Sequence, residues 1–183
     1  MLGLAEVELP MDEAENLYRL QLADLVEPVA LKAGQVRGRR IEAKDVDLVT
    51  DWRVAYSVEA LGEEETPALH AKCRASVTRT LAAGHTWVLE AEGELVACSS
   101  FNSVVPEAVQ IGGVWTPPAW RGRGYARAVV AASLLDARAK GVGRAVLFTG
   151  KRNFAAQKAY LALGFQHVGD YRLTLLHSPI TLG

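Results

Sequence analysis

Val114-Trp115-Thr116-Pro117-Pro118-Ala119-Trp120-Arg121-Gly122-Arg123-Gly124-Tyr125-Ala126 is the stretch from which the fold is read. An apolar, strand-like run ends in two prolines, neither of which can donate a ladder hydrogen bond. A basic, glycine-rich turn follows, and then a long alanine- and valine-rich helix begins. The first N–H groups of a helix have no internal partners, and the helix dipole places partial positive charge there. Gly122 and Gly124 carry no side chain, so a phosphate can approach the backbone closely. Arg121 and Arg123 add charge, and two cations at a helix start are locally unfavourable unless an anion offsets them. The turn is a candidate pyrophosphate site.

Outward from this turn, the preceding segment has the texture of strands. His85–Ala91 and Leu95–Val105 read as a hairpin across Glu92-Gly93-Glu94, and Pro106-Glu107 turns the chain into Ala108–Thr116. Gly112-Gly113 interrupts that third strand and predicts a bulge. Earlier still, 35–43 reads as a strand, and Asp45 offers an N-cap to a helix with Leu48, Trp52, Ala55 and Tyr56 on one face and its end at Gly62. Thr66-Pro67 starts a second helix, in which Leu69, Cys73, Val77 and Leu81 recur every four residues up to Gly84. Beyond the turn, Ala126, Val129, Val130, Ser133, Leu134 and Ala137 form the inward stripe of the long helix. Arg144–Thr149 has the continuous apolar character of a buried parallel strand. Asn153 caps a short helix ending at Gly164, and Phe165–Gly169 and Tyr171–His177 read as a closing antiparallel pair. The order β-α-α-β-β-β-α-β-α-β-β predicts an α/β fold with a sheet of mixed direction.

Residues 1–34 read as an N-terminal extension to a domain spanning 35–183. Leu2-Gly3-Leu4 and Tyr18-Arg19-Leu20-Gln21-Leu22 faintly echo Leu163-Gly164-Phe165 and Tyr171-Arg172-Leu173-Thr174-Leu175, as the tail of a preceding copy would. A strand within 15–25 is what this idea requires.

At 183 residues, half of them hydrophobic, the chain buries a core without disulfides or metal. A net charge of −1 argues against a nucleic-acid partner, and no apolar run approaches the length of a membrane helix. With no signal-peptide pattern, the expected compartment is the cytoplasm. Cys73 and Cys98 read as reduced core residues, and His70, His85, His167 and His177 lack ligand spacing, so no metal is expected.

Two nucleotide motifs fail on residues. Gly122 and Gly124 are followed by Arg127 where a dinucleotide fingerprint needs its third glycine, and Gly150-Lys151 has Ala145 and Arg152 where a phosphate loop needs glycine and Ser/Thr. Arg121, Gly124 and Ala126 instead fit the signature Q/R-x-x-G-x-G/A. Asn153, Ala156, Tyr160, Gly164 and Phe165 fit N-x-x-A-x-x-x-Y-x-x-x-G-F after the next strand. On these two motifs the chain, over roughly residues 35–177, resembles the GNAT superfamily of acetyl-CoA-dependent N-acyltransferases. It looks most like bacterial predicted acetyltransferases with an additional N-terminal region.

The resemblance implies a mixed, mostly antiparallel sheet whose fourth and fifth strands form a splayed parallel pair. It implies acetyl-CoA as cofactor, with Val114, Trp115 and Thr116 offering backbone groups to pantetheine. Arg121, Gly122, Arg123, Gly124, Tyr125 and Ala126 would hold the pyrophosphate, and Asn153 and Phe154 would contact the pantetheine and acyl end. Tyr160 is implied as the acid that meets the departing thiolate. Transfer to an amine also needs a base, because a lysine-type amine is protonated at pH 7. The third strand carries no carboxylate from Ala108 to Thr116, which leaves Glu59, Glu90, His85 or a water chain. The implied activity is acetyl transfer to a primary amine on a small molecule or peptide. The alternative is a non-catalytic acyl-CoA-binding module. Tyr56, Glu59 and the acidic run Glu63-Glu64-Glu65 lie where acceptor specificity would arise, and the last two strands offer an edge for a homodimer.

Overall fold

The computed structural model describes the backbone of residues 11–175 and the side chains of residues 15–170. Its strands are β1 (Met11–Gln21), β2 (Arg37–Arg40), β3 (Thr86–Ala91), β4 (Glu94–Val105), β5 (Ala108–Trp115), β6 (Arg144–Gly150) and β7 (Gln166–Leu175). Its helices are α1 (Val29–Lys32), α2 (Val46–Leu61), α3 (Pro67–Ala83), α4 (Tyr125–Ala139) and α5 (Phe154–Leu161). The strands form one seven-stranded sheet in the order β2-β3-β4-β5-β6-β1-β7. Every neighbouring pair is antiparallel except β5–β6, which is parallel, so the mixed α/β architecture is the expected one.

Alternation along the central strands builds two cores. Trp87 and Leu89 of β3 join the α4 side, with Val129, Val130 and Leu134. Val88, between them, joins Val49 and Trp52 of α2 and Val77 of α3 on the opposite face. The helix signals act as read: Thr66 accepts from the Leu69 N–H, Pro67 occupies the first helical position, and Gly62 and Gly84 close their helices in the left-handed conformation.

Four local readings differ. The first expected strand shortens to Arg37–Arg40: Ile41 makes a last bond, its N–H to the Thr86 carbonyl oxygen at 3.1 Å, and the chain then turns at Ala43–Asp45. Leu48 is exposed, since the α2 stripe runs through Val49, Trp52 and Tyr56. Asp45 does not cap α2; its buried carboxylate accepts from the Glu42 N–H at 2.8 Å and from the Arg39 guanidinium at 2.6 and 3.1 Å. The closing pair is a single strand: β7 runs through Gly169-Asp170, with Val168 an extra residue against Leu17 and Tyr18. Position 177 lies outside the described residues.

The place beside β6 that a returning strand would take is filled by β1, which pairs antiparallel with both β6 and β7. Tyr18 and Leu20, two residues apart, point into the α4-side core, and Leu22 follows them. Gly164 locks this arrangement: a Cβ there would lie 2.9 Å from the Asp24 carbonyl oxygen, and its φ of +95° suits glycine. The echoing Leu2-Gly3-Leu4 lies outside the described residues.

Two contacts make stability expectations. A Cβ at Gly38 would collide with the Cβ of Ala132, which is how α4 seats on the edge strand. Gly38→Ala is expected to cost about 1–3 kcal/mol in urea unfolding, as overpacking does. Arg39 joins buried Asp45 to Glu90, and the guanidinium holds the Asp45 carboxyl below its ordinary value, against the opposing effect of burial. A lowered folded-state pKa stabilises the fold above the unfolded value of about 4, and that stability is lost as pH falls through the folded value. Asp45→Asn is therefore expected to lower stability at pH 7 by up to about 3 kcal/mol. It should also flatten the decline of Tm below about pH 4, measured by thermal melts from pH 2 to 7.

Candidate active site

The β5–β6 ladder contains three pairs, Ala108–Arg144, Val109–Ala145 and Gln110–Val146, and then stops. β5 continues to Trp115 and β6 to Gly150 without further pairing to each other, so the two strands splay. The cause lies in β5. An extra residue sits between the Ser100–Gly112 and Cys98–Trp115 pairs, and Gly113 adopts φ +58°. The double glycine thus makes the expected bulge. A side chain on Gly112 would strike Asn102, and one on Gly113 would strike the Arg53 guanidinium. Val114, Trp115 and Thr116 follow at the open end, where backbone groups facing the gap are free of β6.

The glycine turn leads from this open end into α4. Gly122 and Gly124 take φ +78° and +80°, and Gly124 is the N-cap residue with no side-chain cap. The first N–H groups of the 15-residue α4, from Tyr125 and Ala126, are therefore available to an anion. The arginines are held differently from the simple expectation of two free cations. Arg121 donates through Nε to the Thr116 carbonyl oxygen at 3.0 Å, pairs with Glu59 at 2.9 Å and lies over the Trp115 ring. Arg123 lies over the Trp120 ring, which packs on Tyr125. Glu59 thus ties α2 to the turn.

Across the gap, Asn153 accepts the Ala156 N–H at 3.1 Å and caps α5, and the neighbouring Phe154 ring is 73% exposed. Tyr160, two turns along α5, is buried with its ring 5.9 Å from Phe165. Burial raises its phenol well above the ordinary range, and the Tyr56 phenol adds to the effect. Tyr56 is itself raised by burial, opposed by Arg53. Cys98 is pushed up to about 12 by burial, which makes it an inert thiol rather than a nucleophile.

The base candidates separate. Glu59 is engaged by Arg121, and Glu90 by Arg39 on the far side of β3. His85 lines a cavity of about 500 Å³ between α2, α3 and the β3–β5 face. That cavity reaches the bulge at Gly113 and Trp115 and is also lined by Arg53, Tyr56 and Arg79. Arg53 and Arg79 were not read from the sequence as site residues. The available signal was Arg53 lying in register with Val49 and Tyr56, a charge within an apolar stripe. The acidic run is engaged elsewhere, Glu63 by Lys72 and Glu65 by His70. Among the described residues no cluster of His, Cys, Asp or Glu could hold a metal, and no helix is long and apolar enough to cross a membrane.

This framework is shared with solved structures. An acetyltransferase from Colwellia psychrerythraea superposes with a TM-score of 0.67 at 16% identity, covering 88% of this chain and 55% of that one. A putative acetyltransferase from Novosphingobium aromaticivorans gives 0.65 at 20%, covering 91% and 65%. A predicted acetyltransferase with acetyl-CoA from Clostridium acetobutylicum gives 0.58 at 18%, covering 81% and 96%. These identities establish likeness of fold. The chain spans about half to two thirds of the length of the first two structures. No curated protein matches the chain. A family model described as Acetyltransferase (GNAT) family matches residues 47–165, from the start of α2 to the end of the Asn153–Phe165 motif, and the chain belongs to that family.

Proposed function

We propose that the chain binds acetyl-CoA along the β5–β6 gap and the α4 N-terminus, and transfers the acetyl group directly to a primary amine. The observation that carries this reading is the parallel ladder that stops at Gln110–Val146, opening beside an uncapped helix preceded by two left-handed glycines. The residues fit the group: Val114, Trp115 and Thr116 offer backbone partners for pantetheine, and Tyr125 and Ala126 offer N–H groups for the pyrophosphate. Arg123 adds charge to the turn, Gly122 and Gly124 allow close approach, and Arg121 braces the turn through Glu59. Asn153 and Phe154 border the acyl end, where the exposed Phe154 ring gains cover.

Acetyl-CoA supplies a thioester whose carbonyl carbon an amine can attack. Tyr160, with its raised pKa, stays a neutral phenol, and its role is to donate a hydrogen bond to the thiolate as charge develops. Backbone N–H groups at the splayed β5 are suited to the oxyanion. Buried Cys98 supports direct transfer, because a thiol raised to about 12 forms no acyl-enzyme at neutral pH. Among the described residues, His85 is the base candidate not committed to an ion pair. Release of free CoA in the presence of an amine panel tests the activity. Stabilisation by acetyl-CoA in a thermal shift, without CoA release for any amine, supports the second reading of a non-catalytic acyl-CoA-binding module. The engagement of Glu59 and Glu90 in ion pairs favours that second reading. Cytoplasmic location, a homodimer through the sheet edge, and an origin of residues 1–34 as the tail of a preceding copy belong to the same proposal.

A further inference from the structure

Resting on that reading, we infer that the acceptor is an amine that carries a carboxylate close to its amino group, held by Arg53 and Arg79 in the α2–α3 cavity. Among the described residues, the cavity of about 500 Å³ is lined by both arginines and by no aspartate or glutamate. Arginine is charged at every working pH, so the cavity holds two permanent positive charges. Neither arginine makes an ion pair among the described residues; Glu63, which is paired with Lys72, is the carboxylate near enough for Arg53 to help hold it below its ordinary value. Arg53 lies over the Tyr56 ring at 5.3 Å, and Arg79 donates weakly to the Ser76 hydroxyl at 3.4 Å. Most other arginine heads with a named contact are occupied: Arg39, Arg40, Arg74 and Arg121 all meet carboxylates. Arg53 and Arg79 both line the cavity without a carboxylate on their planar donor sets, and such a set matches a carboxylate.

Position sets the spacing of the two acceptor groups. The Arg53 guanidinium occupies the space above Gly113, at the bulge where β5 parts from β6. A carboxylate on Arg53 is therefore next to the gap in which the amine must react, which suits an α-amino acid better than an amine with a distant anion. The same charges act on the amine. Like charges nearby disfavour an ammonium, an effect that the acceptor's own carboxylate and Glu63 beside Arg53 partly offset. They also exclude polyamines and other purely cationic acceptors. Trp52, Tyr56, Phe101 and Trp115 supply apolar wall for a side chain.

The test uses the full chain with acetyl-CoA, reading CoA release for the standard L-amino acids against their α-amides and the matching amines lacking the carboxylate. The expected result is a preference of about tenfold to hundredfold in kcat/KM for the free acids, the size of a charge-assisted contact. Arg53→Gln and Arg79→Gln should each erase most of that preference through KM, with the acetyl-CoA thermal shift unchanged as a check on folding. Direct titration of the protein with N-acetylated amino acids and their amides reads the anion site without any transfer. Tighter binding of the acids that Arg53→Gln abolishes supports the inference even if turnover is absent. Equal binding of acids and amides, or faster transfer to cationic amines, overturns it while leaving acetyl transfer intact. Absence of an acetyl-CoA shift together with tight acid binding overturns the proposed activity and leaves the anion site standing.

Discussion

A chain that begins at Gln35 is expected not to fold. Removing β1 strips two ladders at once, because β1 is hydrogen-bonded to β6 on one side and β7 on the other. It also removes Tyr18, Leu20 and Leu22, which are 3%, 1% and 1% exposed and pack with Tyr160, Leu163 and Phe165. Burial of one such side chain contributes about 1.5–3 kcal/mol, so three approach the whole stability of an ordinary domain, about 5–15 kcal/mol. β7 would lose its sheet neighbour, and β6 would present an unpaired edge, a template for aggregation. Far-UV circular dichroism and urea unfolding of the 35–183 fragment check this. A cooperative urea transition with a midpoint close to that of the full chain would refute it. A milder variant, Leu20→Ala, is expected to lower stability by about 2–5 kcal/mol while leaving the chain folded.

Tyr160→Phe is expected to lower kcat by about 10²–10⁴-fold, with acetyl-CoA affinity nearly unchanged. The ring is held by Phe165 and by the core around β1, and phenylalanine keeps that packing, so the loss is confined to the hydroxyl. Because burial raises the phenol far above neutrality, the wild-type rate should show no loss of activity up to at least pH 9 that is attributable to Tyr160. Any neutral-range titration of the rate belongs to a group other than Tyr160. Steady-state kinetics across pH 6–9, with a thermal shift for acetyl-CoA, separate these effects. An unchanged turnover where chemistry limits the rate would remove Tyr160 from the reaction.

Both expectations depend on a strand whose importance is hard to read from its own residues. Within 11–21 only Tyr18 and Leu20 alternate with polar neighbours over enough length to suggest a strand, and nothing there announces a place between two other strands. Pairing partners more than a hundred residues away leave no local mark. The same limit explains the end of the chain. Gly169-Asp170 has turn chemistry, but pairing with β1 carries the backbone straight through it with a bulge at Val168. Tertiary hydrogen bonding overrides turn preference there.

What the amino-acid sequence determined by itself was everything governed by local sterics and short spacing. Paired glycines produced the β5 bulge, Gly122 and Gly124 produced the left-handed turn into α4, and Thr66, Asn153, Gly62 and Gly84 set helix ends. The two motif spacings carried the family, and within them Gly124, Gly164 and Asn153 answer local backbone demands at a helix start, a left-handed turn and a cap. Only the tertiary structure decided which charges are in use. Arg121, expected to wait for a phosphate, is engaged by Glu59 from α2, and Asp45, expected to cap a helix, serves Arg39. Arg53 and Arg79, inconspicuous in the sequence, converge on one cavity without a carboxylate. A side chain's partner across the fold depends on how α2 and α3 lie on the sheet, and that follows from burial summed over the whole core rather than from any neighbouring residue.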